Sequence, residues 1–211
     1  MRLGILAVLA VCFGGVLHAD EEKAGTFDYY VLALSWSPNW CKLEGEDRNS
    51  EQCDDGRALG WVLHGLWPQY ERGWPTYCRT PHREASRSET NAMADIMGTS
   101  GSAWHQWKKH GRCSGLSAAS YFKIARQAYD AVNRPEVLRK LERTARIPAL
   151  VIEEAFLQSN PALSANMVTM TCRNDHIQEA RICLDKTLSP RPCGSDVRRD
   201  CTAKALFEPV Q

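Results

Sequence analysis

The chain has 211 residues, 44% of them hydrophobic and 24% charged, the proportions of one water-soluble globular domain that can bury its own core. Lys and Arg number 26 against 25 Asp and Glu, and Arg2 is the only charged residue before Asp20, so residues 20–211 balance at 25 against 25. A protein that coats duplex nucleic acid would be strongly basic; this balance excludes that class and confines any nucleic-acid contact to a local cleft.

Residues 1–19 differ from the rest. Arg2 is followed by an apolar run over 3–17 and then Leu17-His18-Ala19, ahead of the polar Asp20-Glu21-Glu22-Lys23. This pattern reads as a secretory signal peptide, the apolar run of about 15 residues being short for a membrane span of roughly 20. One domain over residues 20–211 remains, expected to be a periplasmic or secreted monomer with no membrane segment. It carries eight cysteines, Cys41, Cys53, Cys78, Cys113, Cys172, Cys183, Cys193 and Cys201. An even count after an export signal predicts a disulfide framework, and the absence of any Cys-x-x-Cys pair argues against structural zinc. Eight cysteines allow about 105 pairings, among which spacing alone does not choose.

The first predicted element is a buried strand over 27–36, rich in aromatic and β-branched residues and stopped by Ser37-Pro38. Residues 42–58 are polar and acidic and read as a loop stapled near Cys41 and Cys53. A second strand covers 60–66 and ends at Pro68. Residues 71–88 are turn-like. Helices follow: a short one over 104–110, one over 117–132 with Ser117 as its cap, a third over 136–144, and a fourth over 148–158 with Pro148 in the first turn. Strands over 167–172 and 177–184 precede a Pro-rich tail with two cysteines. Strands and helices mix without βαβ alternation, so the fold class is α+β, a single disulfide-stapled domain.

Three histidines lie in two Trp-rich stretches, Leu63-His64-Gly65-Leu66-Trp67-Pro68-Gln69 and Trp104-His105-Gln106-Trp107-Lys108-Lys109-His110-Gly111. On a helix, Gln106, Lys109 and His110 share one face, and His105 neighbours Lys109. Two imidazoles, an amide and a cation converging on one point suit a phosphate. RNA cleavage needs these parts: a base for the ribose 2′-hydroxyl, an acid for the departing 5′-oxygen and a fixed cation for the transition state. His105 and His110, five apart, cannot chelate side by side as a His-Glu-x-x-His pair does, so no metal or other cofactor is expected. Trp67 beside His64 is the indole placed to stack on a base. His82 and His176 read as bystanders, and Trp61 and Trp107 as core.

The two motifs, His64-Gly65-Leu66-Trp67-Pro68 and His105 to Gly111 with Arg112-Cys113, closely resemble those of the ribonuclease T2 family of acid endoribonucleases, which includes the plant self-incompatibility ribonucleases. The Asp28-Tyr29-Tyr30 opening and the Cys172–Cys193 tail add softer support. The resemblance implies a central antiparallel sheet flanked by helices. It also implies metal-free cleavage of single-stranded RNA, not DNA, through a 2′,3′-cyclic phosphate that is then hydrolysed. It implies His110 as general base, His64 as general acid, His105 and Lys109 as phosphate contacts, and Trp67 and Gln69 in a base pocket. It further implies the pairs Cys41–Cys53, Cys78–Cys113, Cys172–Cys201 and Cys183–Cys193. One departure stands out: the family usually has glutamate where this chain has Gln106, which cannot ionise but still donates a hydrogen bond. Two rival readings follow, a weakened or silent member that binds RNA or signals, and a secreted metal-dependent hydrolase.

Overall fold

The computed structural model describes residues 22–198, 200–201 and 204–210; the expected signal peptide lies outside them. Strand β1 (Tyr29–Trp36) is buried on both faces, only Ser35 being partly open, as its unbroken apolar run requires. One face turns Tyr30, Leu32, Leu34 and Trp36 into the principal core. The other turns Tyr29 and Val31 into a second, smaller cluster with Cys183, Cys193 and Val197, against which Trp67 packs. Strand β2 (Trp61–Gln69) pairs with one edge of β1 and β5 (His176–Leu184) with the other, both antiparallel. Strand β4 (Val168–Arg173) completes the antiparallel part on β5. Strand β6 (Lys204–Phe207) joins through a single parallel pair, His176↔Leu206, and carries β3 (Ala145–Pro148) on its far side.

Three longer helices cover the sheet. Helix α1 (Ser100–Lys109) starts where the Thr99 hydroxyl caps Ser102 N–H. Helix α2 (Ala118–Ala131) starts at the Ser117 cap and buries Tyr121, Phe122, Ala125 and Ala128. The Tyr121 hydroxyl donates to Leu66 O at 3.0 Å and the Tyr129 hydroxyl to Trp61 O at 2.9 Å, which fixes α2 to β2. Helix α3 (Ala149–Ser159) buries Ile152 and Phe156, the latter edge-on to Trp61 at 5.2 Å. Four disulfides close the chain, Cys41–Cys53, Cys78–Cys113, Cys172–Cys201 and Cys183–Cys193.

The mixed α+β architecture is the expected one; several elements differ in detail. The segment read as a loop over 42–58 contains two short helical turns, Cys41–Gly45 and Glu51–Cys53. Short helices at Arg87–Asn91 and Ala94–Met97 went unread, although Ser86 and Glu89 form a reciprocal capping box at the first. Helix α1 begins at Ser100 rather than 104, because Gly101 falls in an exposed first turn where its low helix propensity costs little. The helix expected over 136–144 shrinks to the turn Glu136–Lys140, since Ala145–Pro148 is recruited as a strand by β6. Pro148 therefore ends β3 and precedes α3 instead of opening its first turn.

Candidate active site

The site sits on the face of the sheet opposite the principal core, and a register slip puts it there. Val31 faces Trp67 and Ala33 faces Gly65, but the next pair is Leu34↔Leu63, so His64 has no partner across β1. Strict alternation would send His64 into the core with Leu66. The extra residue instead lets Leu63 take the core position, at 1% exposure, and frees His64 for the other face. On that face Ala33 and Ser35 of β1 lie opposite Arg181 and Glu179 of β5. Both β1 residues are small, so the His64 ring reaches across the strand, and its Nδ1 meets Glu179 Oε1 at 2.5 Å.

Glu179 is a carboxylate inside the protein, its side chain 2% exposed. Burial pushes it up, but the His64 hydrogen bond and charge, with the Arg181 guanidinium, outweigh burial and hold it at about 2. Arg181 Nε donates to Glu179 Oε2 at 2.8 Å, and its guanidinium lies 5.4 Å from the Trp67 ring. An ionised carboxylate has no proton to give, so Nδ1 of His64 is the donor and its Nε2 is the nitrogen left for a ligand.

Trp67 is the centre of the cleft. Its ring centroid lies 5.2 Å from that of His64, edge to face, and 5.2 Å from that of His110. Its Nε1 donates to Gln106 Oε1 at 2.8 Å. That bond passes over Gly65, where a Cβ would collide with the indole and with the amide oxygen. Gln106 is buried, and with its oxygen taken by Trp67 the amide nitrogen remains as a donor.

Helix α1 supplies the rest. His105 is exposed and Lys109 half-buried, while His110 is 5% exposed at the helix end, its N–H bonded to Gln106 O. Burial, then the cations of Lys109, His64 and His105, push His110 down to about 3, so it is a neutral imidazole over the working range. Its buried Nδ1 has no partner among the described residues. His105 is lowered by burial and by Lys109, His64 and Lys108. The helix end is tied by Tyr77 N–H to Lys109 O at 2.8 Å and by the Cys78–Cys113 disulfide beside it. Gly111 is required there, since a Cβ would strike Trp107 and Tyr121.

A cavity of about 290 Å³ brings His64, Trp67, His105, Lys109 and His110 together. Gln69, 4% exposed, is at its floor, its amide bonded to Pro68 O. A second hollow of about 440 Å³ opens on the other side of His64 and His105. His82 binds Gly115 O and His176 lies beside Glu208, both outside the cavity, and Trp61 and Trp107 are core. Sequence reasoning missed Glu179 and Arg181, and also Trp74 and Asp196, which line the cavity and are joined through the adjacent Gly73 N–H to Asp196 Oδ2 at 2.6 Å. Charges at alternate positions of a strand as buried as β5 were the available signal.

The family model described as the ribonuclease T2 family matches residues 27–193. The chain belongs to this family. A ribonuclease of Aeromonas hydrophila is 43% identical over 123 residues, covering 58% of this chain and 53% of that one. A probable ribonuclease of Haemophilus influenzae is 30% identical over 193 residues, covering 84% of this chain and 65% of that one. The chain thus spans about half the length of the first relative and just under two thirds of the second. Among solved structures, an RNase-related protein from Calystegia sepium shares the fold, with a TM-score of 0.67 at 22% identity over 86% of this chain and 98% of that one.

Proposed function

We propose that the chain is an endoribonuclease that cuts single-stranded RNA by transesterification to 2′,3′-cyclic phosphate ends, followed by hydrolysis to 3′-phosphates. The observation that carries the reading is the pair of imidazoles in contact with Trp67 in opposite electrostatic settings. His110 is buried, neutral and among cations; His64 is paired with a buried carboxylate. General acid–base cleavage needs one of each.

His110 takes the proton of the 2′-hydroxyl as that oxygen attacks phosphorus. His64 gives its proton to the 5′-oxygen as the P–O5′ bond breaks. Lys109, His105 and the Gln106 amide meet the phosphate oxygens, where charge accumulates in the transition state. In the second step a water, in the place of the departed 5′-alcohol, gives a proton to His64 as it attacks phosphorus, and His110 returns its proton to the 2′-oxygen as the P–O2′ bond breaks. Trp67 offers its face to a base, with Gln69 beneath it. DNA lacks the attacking hydroxyl and is not cut. Metal plays no part in this scheme: among the described residues, the one convergence of three potential ligands is Glu22, Cys78 and Cys113, whose cysteines are joined to each other. Four disulfides support export to a periplasm or beyond the cell, where such bonds persist.

The test is cleavage of a single-stranded RNA by the oxidised protein in EDTA, beside His64→Ala and His110→Ala, with product ends identified. Cyclic phosphates that appear in EDTA and vanish in both variants support the scheme. Cleavage that needs added metal, or that survives either substitution, overturns it.

A further inference from the structure

We propose that Glu179 is the positioning residue of the reaction, a buried carboxylate that orients His64 through Nδ1 and sets a negative charge against its ring, with Arg181 setting how much of that charge His64 receives. The inference rests on the acid role given to His64 above.

Three observations converge on it. The Nδ1–Oε1 contact is 2.5 Å, and Glu179 has no solvent to share its charge with. Its second oxygen is fully occupied by Arg181, through Nε at 2.8 Å and a second guanidinium nitrogen at 2.7 Å. The residues between are shaped for the contact, since only Ala33 and Ser35 separate β5 from the slipped His64. A carboxylate that accepts from Nδ1 fixes the ring plane and aims Nε2 at the cleft, and it places an anion in contact with the ring. Among the described residues, no other carboxylate is bonded to His64. The groups facing it from helix α1 supply no anion: Lys109 is a cation, and His105 and His110 are imidazoles. Across the wider groove stand Arg48 and Arg173, also positive, with Glu44 engaged by both of them. Asp196 also lines the cavity, where it accepts from Gly73 N–H. Glu179 is thus the carboxylate in contact with His64, and Arg181 is the cation that divides its attention.

Two substitutions of opposite electrical sign test this. Glu179→Gln keeps an acceptor for Nδ1 but removes the anion and leaves Arg181 uncompensated. The high-pH limb of kcat should move down by about 1 pH unit or more, the effect of losing an opposite charge at contact distance. KM should change little, and the rate on the low-pH side should stay within about tenfold of the wild type. Arg181→Met removes the competing cation, so the same limb should move up. Glu179→Ala removes acceptor and charge together and should cost about 10- to 100-fold in kcat at every pH.

The assay is single-turnover cleavage of a short RNA from pH 4 to 8, with circular dichroism melting to confirm that each variant is folded. The His64 ring is followed by NMR in the same variants without RNA, a readout that activity cannot confound. Shifts of opposite sign in the two variants, in both kcat and the His64 titration, establish the assignment. A Glu179→Gln protein that folds and keeps the wild-type limb overturns it, as do shifts of the same sign. If His64→Ala cuts RNA normally, the failure lies instead in the acid role of His64, and the NMR titration still decides whether Glu179 and His64 are coupled.

Discussion

Adding one methyl group at Gly65 tests the geometry of the cleft. Gly65 has an ordinary backbone conformation, so the effect of Gly65→Ala comes from space alone. The new Cβ would fall on the Trp67 indole and the Gln106 amide oxygen. Overpacking of this kind costs about 1–3 kcal/mol. The Trp67–Gln106 hydrogen bond must also break, at a further ~1 kcal/mol. A loss of about 2–4 kcal/mol lowers the melting temperature of a domain this size by roughly 4–16 °C. The indole is displaced from its contacts with His64 and His110. If it stacks on a base, kcat/KM falls by about 5- to 150-fold, the worth of ~1–3 kcal/mol of stacking. Calorimetry and RNA cleavage measure both, and a double-mutant cycle isolates the cause. Trp67→Ala removes the indole atoms in the clash, so Gly65→Ala should cost at least ~1 kcal/mol less in that background than in the wild type. A Gly65→Ala protein with the wild-type melting temperature and kcat/KM would show that Trp67 and Gln106 are not locked together as described.

Three other expectations follow from the same site. His110 is held at about 3 while the unfolded chain has an ordinary imidazole, so the folded state resists its protonation. Its contribution is intact above the unfolded value of about 6.5 and is lost as pH falls toward 3, about 2 kcal/mol of it by pH 5; His110→Gln should lose correspondingly less stability between pH 7 and 5, and parallel curves would contradict the burial argument. Gln106→Glu places an anion one turn from His110, so the acid limb of kcat/KM should move to higher pH by about 1–2 units as the base becomes easier to protonate; an unmoved limb would mean that the carboxylate stays neutral or that His110 is not the base. Replacing Cys78 and Cys113 by serine opens a loop with a sequence separation of 35 and releases the strap beside Lys109. It should cost about 3–4 kcal/mol, or roughly 10 °C, together with a larger loss in kcat than in substrate affinity, measured by melting and steady-state kinetics.

The strands that form the middle of the sheet were legible because each carries its own signal. The run over 27–36 is apolar at nearly every position, and so becomes a central strand covered on both faces. The Ser117 cap and the apolar positions after it define α2 almost to the residue. Elements with no local signal were missed. Ala145–Pro148 and Lys204–Phe207 are four residues each, too short to show a period, and they are strands only because each pairs with the other along its whole length. The helix expected over 136–144 fails for the same reason from the other side. Glu136, Leu138, Arg139, Lys140, Leu141 and Glu142 are good helix formers, but strand pairing a few residues on wins the segment over that local preference.

The site divides along a similar line. His105, Gln106, Lys109 and His110 lie within one helix and its end, where spacing translates directly into a shared face. His64 was found through its motif, but its orientation was not readable. Alternation along β2 assigns it to the core, and only the pairing partner reveals the slipped register that turns it outward. Glu179 depends on that slip twice over. It lies 115 positions from His64, and the contact needs both the displaced residue on β2 and small side chains on the strand between them. A period-2 reading of β5 notices Glu179 and Arg181 as charges on a buried strand; it has no means of naming their partner. What a local motif encodes is therefore the set of groups that would touch the phosphate. The carboxylate that meets His64 comes from the sheet register, and a substitution at Ala33 that pushed β2 and β5 apart would alter the pH dependence of the site without touching any residue of either motif.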